Sequence, residues 1–295
     1  MEADLLARVS GTWPEAMERG RVSDATFAAA YARVSDRHRA WIKTGIAAMY
    51  AANGGPQPLS RRESTSLGHD LRLDRLETPL EYALIVCDRD FVSPVRLAAT
   101  VIPALCARVP DIAVVRVGER WPHVLLTALE LSGVETVCRV GVRSMPGLWA
   151  ALPAKGRGVV VLLGDVAAPA GLSRDWRLLP ARVSGRAGVF PGAGADFDRE
   201  ALAFAHPDMT FFVHDDPSPG QPPFAAAKGD LAASADLGYD VVYAGDAHLP
   251  TAQKAAPLAL GPGRETFWLW PEISPAAFRQ QRLTAAVENR DGLVR

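Results

Sequence analysis

From residue 81 onward, short runs of consecutive apolar residues alternate with stretches of helical spacing. Tyr82-Ala83-Leu84-Ile85-Val86-Cys87 is apolar throughout, as expected of a strand covered on both faces. A polar turn, Asp88-Arg89-Asp90, follows. Ser93-Pro94 then opens a helix carrying Leu97, Ala98, Val101, Ile102 and Leu105, with Pro103 expected to bend it. Ile112 to Val117 is the next strand, completing a βαβ unit, which is right-handed in parallel sheets. The alternation continues with a helix over 124–132 closed by Gly133, a strand over 134–140, a short helix over 145–152 and a strand over 159–163. Beyond an irregular Gly/Pro-rich stretch it predicts a helix over 199–205, a strand over 209–213, a helix over 225–237 and a strand over 241–244. It then predicts a short helix over 248–255, an edge strand over 267–270 and a last helix from 275 to about 288. Such repetition indicates an α/β fold with a doubly wound, mostly parallel sheet in Rossmann-like halves.

Residues 1–54 carry helical spacing instead, with Leu5, Leu6 and Val9 on a first short face, Pro14 opening a second helix and Ser23 preceding a longer one. Residues 55–77 are polar and turn-rich and are expected to form a connecting arm. The chain therefore divides into a helical segment with its arm (1–78) and an α/β body (79–295), with two halves of the body at about 79–158 and 159–295.

Composition narrows the function classes. In 295 residues, 32 Lys and Arg balance 33 Asp and Glu for a net charge of -1, which gives no bulk attraction to nucleic acid. The basic cluster Arg33, Arg37, His38, Arg39 and Lys43 reads as a solvated helix face. The N-terminus is acidic and the apolar runs are far too short for a membrane helix, so a cytoplasmic protein is expected, with no nucleic-acid and no membrane partner. Cys87, Cys106 and Cys138 lack metal-knuckle spacing and read as buried thiols.

In doubly wound sheets, ligands bind beyond the carboxyl ends of the strands. That rule nominates Asp88, Ser93, Arg143, Ser144, Asp165, His214, Asp215, Asp246 and His248 as ligand-binding candidates. The loops carrying His214-Asp215-Asp216 and Asp246/His248 would converge on a divalent metal only if their strands are neighbours, and no metal site is assigned. A Ser93/His214/Asp165 triad has no local motif behind it. No GxGxxG follows the first strand, and neither GxxxxGK[ST] nor GxSxG occurs. The Gly-rich pieces Gly192-Ala193-Gly194-Ala195 and Gly261-Pro262-Gly263 do not join a strand cleanly to a helix.

Two stretches resemble a known family. Residues 125–141, LLTALELSGVETVCRVG, resemble the segment of histidinol dehydrogenases that reads approximately LAAAxLAGVDEIYRVGG, and residues 224–238, FAAAKGDLAASADLG, resemble FVAADLLAQAEHG of the same family. Residues 93–116 stand where that family has its preceding helix and strand. The chain thus resembles a divergent, shortened histidinol dehydrogenase. That resemblance implies an aldehyde-dehydrogenase-like fold with two related halves and NAD or NADP as cofactor. In the family's QAEH the Gln and His are zinc ligands; the matching residues here are Ser234, Ala235, Asp236 and Leu237, so no zinc is expected. The family's acid/base Glu-His pair has no counterpart. Without those ligands and that base, zinc-dependent oxidation of histidinol is not expected.

Three readings stay open. The first is a histidinol-dehydrogenase-like protein that binds a nucleotide or small metabolite at the strand ends. The second is an NAD(P)-dependent oxidoreductase with an altered site using Cys87 or Cys138 as thiolate, which requires a lowered thiol pKa. The third is a non-enzymatic interaction protein, a homodimer among the options, docking through the N-terminal helices with Trp41, Tyr50, Trp268 and Trp270 as anchors.

Overall fold

The continuous apolar runs become the central strands of two parallel sheets. The computed structural model describes residues 12–168, 176–191 and 196–287. The first short helical face at Leu5, Leu6 and Val9 and the Gly192–Ala195 motif lie outside them. The helical front end consists of α1 (Glu15–Glu18), α2 (Asp24–Arg33) and α3 (Asp36–Ala52). The single longer helix expected after Ser23 is two, because Val34 takes extended backbone and the Ser35 hydroxyl starts α3 by accepting the His38 N–H.

The first sheet contains β3 (Tyr82–Cys87), β4 (Ile112–Val117), β5 (Thr136–Val140), β6 (Gly158–Leu163) and β7 (Trp176–Ala181) in the order β5-β4-β3-β6-β7, every pair parallel. Strand alternation divides its side chains between two cores. Ala83, Ile85, Val161 and Leu163 pack under α4 (Pro94–Cys106) and α5 (His123–Ser132). Leu84, Val86, Val160 and Leu162 pack with Met17 of α1 and with Met145 and Leu148 of α6 (Met145–Ala151). Helices thus cover both faces, which is why these strands read as unbroken apolar runs.

The second sheet repeats the plan. It contains β8 (Arg186–Phe190), β9 (Thr210–His214), β10 (Phe224–Ala227), β11 (Val241–Ala244) and β12 (Leu258–Leu260) in the order β10-β9-β8-β11-β12, again all parallel. In each sheet the first strand in the chain is central, the next two extend to one side and the last two to the other. The body is therefore α/β with two Rossmann-like units. The first sheet ends with β7 and the second begins with β8, and β6 pairs with β3 in the first sheet. Val189, Phe211, Val213 and Tyr243 face the core that also holds α4 and α5, and Trp268 and Trp270 complete it. Outside, Phe190 and Val242 pack against α8 (Leu249–Ala255).

Several local expectations give way to pairing. The segment read as a helix over 225–237 is β10, then a 3-10 turn over Ala232–Leu237. Its alanines favour a helix, but parallel hydrogen bonding to β9 fixes Phe224–Ala227 as a strand. The final helix expected from 275 is a 3-10 turn, Pro275–Phe278, leading into β13 (Arg279–Val287). The edge strand expected over 267–270 is irregular chain that buries Trp268 and Trp270. The polar arm holds β1 (Arg61–Ser66) and β2 (Leu71–Pro79), and β13 joins them in the antiparallel order β1-β2-β13.

The N-terminal helices lean aromatic residues on the body and reach it with an exposed arginine. The His38 ring stacks on Phe204 of α7 (Arg199–Ala205) at 4.1 Å, and Trp41 leans on the same ring at 5.6 Å. Arg37 pairs with Glu200 at 2.7 Å and Asp198 at 3.4 Å. Trp41 thus packs against the chain's own body, and Trp268 and Trp270 are buried in its core. No helix among the described residues is long and apolar enough to cross a membrane.

Candidate functional site

Chain direction around the first sheet reverses between β3 and β6: the helices after β3 lie on one face, and α6 before β6 lies on the other. At such a switch point the two strand-end loops part and leave a crevice. Here it has a volume of about 900 Å³ and is lined by Asp88, Arg89 and Asp90 from the β3 exit and Asp165 and Val166 from the β6 exit, together with Met145 and Trp149 of α6 and Trp176 of β7. The rim is acidic and the walls are apolar.

Asp88 ties the rim together. Its Oδ1 accepts the backbone N–H groups of Asp90 at 2.9 Å and Phe91 at 2.6 Å, and its Oδ2 accepts the N–H of Asp165 across the switch point at 2.6 Å. Gly164 permits that approach. It sits at φ +84°, and a Cβ there would lie 2.2 Å from Asp88 Oδ2. Beneath the loop, the buried Arg116 guanidinium donates to the carbonyls of Phe91, at 2.8 Å, and Arg89. Burial lowers the Arg116 pKa, and the Cys87 thiol and nearby carboxylates, Asp88 among them, oppose that shift. On the wall, Trp149 and Trp176 stack with centroids 6.4 Å apart. The Trp176 Nε1–H is buried and has no acceptor among the described residues.

The nominated residues separate into groups. Asp88 and Asp165 meet in the crevice, and Asp165 also pairs with Arg182 at 3.1 Å. Arg143 and Ser144 stand exposed on the 3-10 turn Val142–Ser144 beside the crevice and do not line it. Ser93 is fully buried: its hydroxyl donates to Ala205 O at 2.6 Å and accepts the Arg96 N–H at 3.1 Å, capping α4. Its ring neighbour is His206, at 3.4 Å, so the Ser93/His214/Asp165 triad does not assemble.

His214, too, is a packing residue. Its Nδ1–H donates to Gly229 O at 2.8 Å, which leaves Nε2 to accept the Tyr239 hydroxyl at 2.9 Å, and its ring stacks on Phe190 at 3.9 Å. Asp215, Asp246 and His248 are exposed at the exits of β9 and β11. Those strands flank β8 on opposite sides, so the adjacency that a shared metal site required is absent. Among the described residues no three His, Cys, Asp or Glu side chains gather as metal ligands would. At the stretch resembling the zinc-binding motif, Ser234 is buried and donates to Leu231 O at 2.6 Å.

The thiols are equally committed. All three cysteines are free and buried. Burial raises the pKa of each, Cys106 and Cys138 to about 11 and Cys87 further. A thiolate nucleophile needs the opposite shift, which burial gives neither Cys87 nor Cys138.

Comparison with known proteins agrees with this architecture. No protein-family model matches the chain, and no curated protein matches it. Among solved structures it is similar to a histidinol dehydrogenase from Elizabethkingia anophelis, with a TM-score of 0.58 at 14% identity over 91% of this chain and 77% of that one. It is also similar to a succinate-semialdehyde dehydrogenase from Burkholderia pseudomallei, with a TM-score of 0.52 at 12% identity over 97% of this chain and 88% of that one. The chain has a dehydrogenase-like fold. At these identities the likeness speaks for architecture alone.

The fold group suggests a dinucleotide, and the crevice can be tested for one. A pyrophosphate at a switch point is held by free backbone N–H groups and the first turn of the following helix. Here the N–H groups of Asp90, Phe91 and Asp165 are taken by the Asp88 carboxylate, that of Arg96 by Ser93, and the turn is acidic and lacks glycine. The residues present do not fit a pyrophosphate. The sequence singled out Asp88 and Asp165 but missed Arg116, Trp149 and Trp176, whose apolar surroundings carry an ordinary core signal.

Proposed function

We propose that this dehydrogenase-fold protein binds a small, phosphate-free metabolite in the crevice between β3 and β6, with no part for zinc and no histidinol oxidation. The observation that carries this reading is the Asp88 carboxylate, which takes up the backbone N–H groups of Asp90, Phe91 and Asp165 that a phosphate at the switch point would need. The chemistry around it describes the ligand. Asp88, Asp90 and Asp165 outnumber Arg89 in the lining and favour a cationic head, and the stacked Trp149 and Trp176 favour a flat or apolar body. An arylalkyl amine such as histamine or tyramine has both features. Three free thiols suit the reducing conditions of a cytoplasm.

Thermal-shift titration with histamine, tyramine, NAD, NADP and inorganic pyrophosphate tests the reading. Stabilisation by an amine and none by the phosphate compounds is expected. Stabilisation by NAD or NADP that is lost in a Trp149→Ala variant would overturn it, because the dinucleotide would then occupy this crevice.

A further inference from the structure

The crevice is larger than one ring and one amine require. Its volume of about 900 Å³ lies near the upper end for small-molecule sites, and an aromatic ring with a two-carbon amine arm fills only a small part of it. Strand order arranges the lining in a row. Across the sheet β5-β4-β3-β6-β7 come Val142 just after β5, Val117 at the end of β4, Asp88 to Asp90 after β3, Asp165 after β6 and Trp176 on β7.

All the charged residues of the lining therefore come from the exits of β3 and β6, with apolar ground on either side. On one side stands the Trp149–Trp176 stack. On the other, one and two strand spacings from β3 (about 5 and 10 Å), lie Val117 and Val142, with Met145 of α6 beside them. Val142 is 65% exposed, an apolar side chain held open at the crevice edge.

The charges between them suit a single cation. Arg89 lies 3.5 Å from Asp90, and Arg182 lies 3.1 Å from Asp165. With Asp88, three carboxylates face two guanidinium groups and leave one negative charge over.

We propose that the crevice takes a secondary amine with an apolar group on each side of its nitrogen. The aromatic ring lies against Trp149 and Trp176 and the ammonium at the carboxylates. An alkyl chain of about four carbons, enough to cross one strand spacing, covers Val117 and Val142. This rests on the reading of the crevice as an amine site and adds a second arm to the ligand. The apolar–charged–apolar order separates this class from long-chain primary amines, whose charge sits at one end and would leave one of the two apolar grounds bare or bury the ammonium away from the carboxylates.

Isothermal titration calorimetry on the whole chain with tyramine, N-methyltyramine and N-butyltyramine tests the proposal. Binding is expected to tighten about threefold per added carbon of the alkyl chain. N-butanoyltyramine, whose amide nitrogen carries no charge, is expected to bind at least about tenfold more weakly than N-butyltyramine. Val142→Asn changes an exposed position, and far-UV circular dichroism checks that the variant folds. In it the ratio of N-butyltyramine to tyramine affinity is expected to fall about tenfold. No binding by any of the amines overturns the proposal together with the crevice reading. Tyramine binding that the butyl chain leaves unchanged or weakens overturns the second arm alone. So does a butyl gain that persists undiminished in Val142→Asn.

Discussion

The carboxylate of Asp88 reaches from the end of β3 to the backbone N–H of Asp165 at the end of β6, 2.6 Å away, and joins the two loops of the switch point. Its other oxygen fixes the turn to Phe91. Losing a charged acceptor that serves three backbone donors costs on the order of 2 kcal/mol where water can partly replace it. Asp88→Ala is therefore expected to lower the unfolding free energy read from urea titration by that amount, and Asp88→Asn by about half, since its amide oxygen still serves the turn while its NH2 meets the Asp165 N–H. Equal stability of Asp88→Ala and the wild type would show that the bridge does not hold the rim.

His206 gives the fold a pH dependence. It is fully buried, and burial together with the nearby Arg96 charge holds its pKa well below 6.5. The unfolded chain takes up a proton near pH 6.5 while the folded chain does not. The stabilisation is thus complete above pH 6.5 and is lost as the pH falls from there toward the folded-state value, by roughly 1.4 kcal/mol per pH unit. Thermal melts between pH 7 and pH 5 are expected to decline in the wild type and to flatten in His206→Gln. A variant with an unchanged slope would assign the decline to other groups.

The thiols supply a sharper contrast. With every cysteine buried and its pKa raised by burial, a disulfide reagent is expected to label none within minutes at pH 8 in the native protein and all three in denaturant. One thiol that reacts rapidly in the native state would restore a nucleophilic role for it.

How far the sequence reveals this molecule depends on what sets each element. The strands β3 and β6 are legible because both their faces are buried and every position is apolar. By contrast β7, an edge strand, tolerates Pro180 and an exposed Arg177 and shows no clean period. In β8, Gly188 breaks the run because a Cβ there would meet the Tyr239 ring at 2.8 Å, a reason that exists only in three dimensions. The alanines of β10 and the polar alternation of β13 take strand form from their partners β9 and β2. The strand-exit rule named Asp88 and Asp165, which meet at the crevice, because it concerns chain direction. It equally nominated Asp246 and His248, since sequence alone cannot say which exits share a sheet. Buried Ser93 and His214 show the same ambiguity, in that a polar residue at a strand end serves a cap or a ring stack as readily as a ligand.

Trp176 stands in the crevice wall beside Trp149, and its indole N–H is buried with no acceptor among the described residues. Its indole ¹H–¹⁵N resonance, assigned by loss of the signal in Trp176→Phe, reports on the crevice directly. Titration with histamine or tyramine is expected to shift that resonance saturably and to leave the resonances of Trp268 and Trp270 in place, while NAD leaves all three unmoved. A Trp176 signal that responds to NAD and ignores both amines would contradict the account.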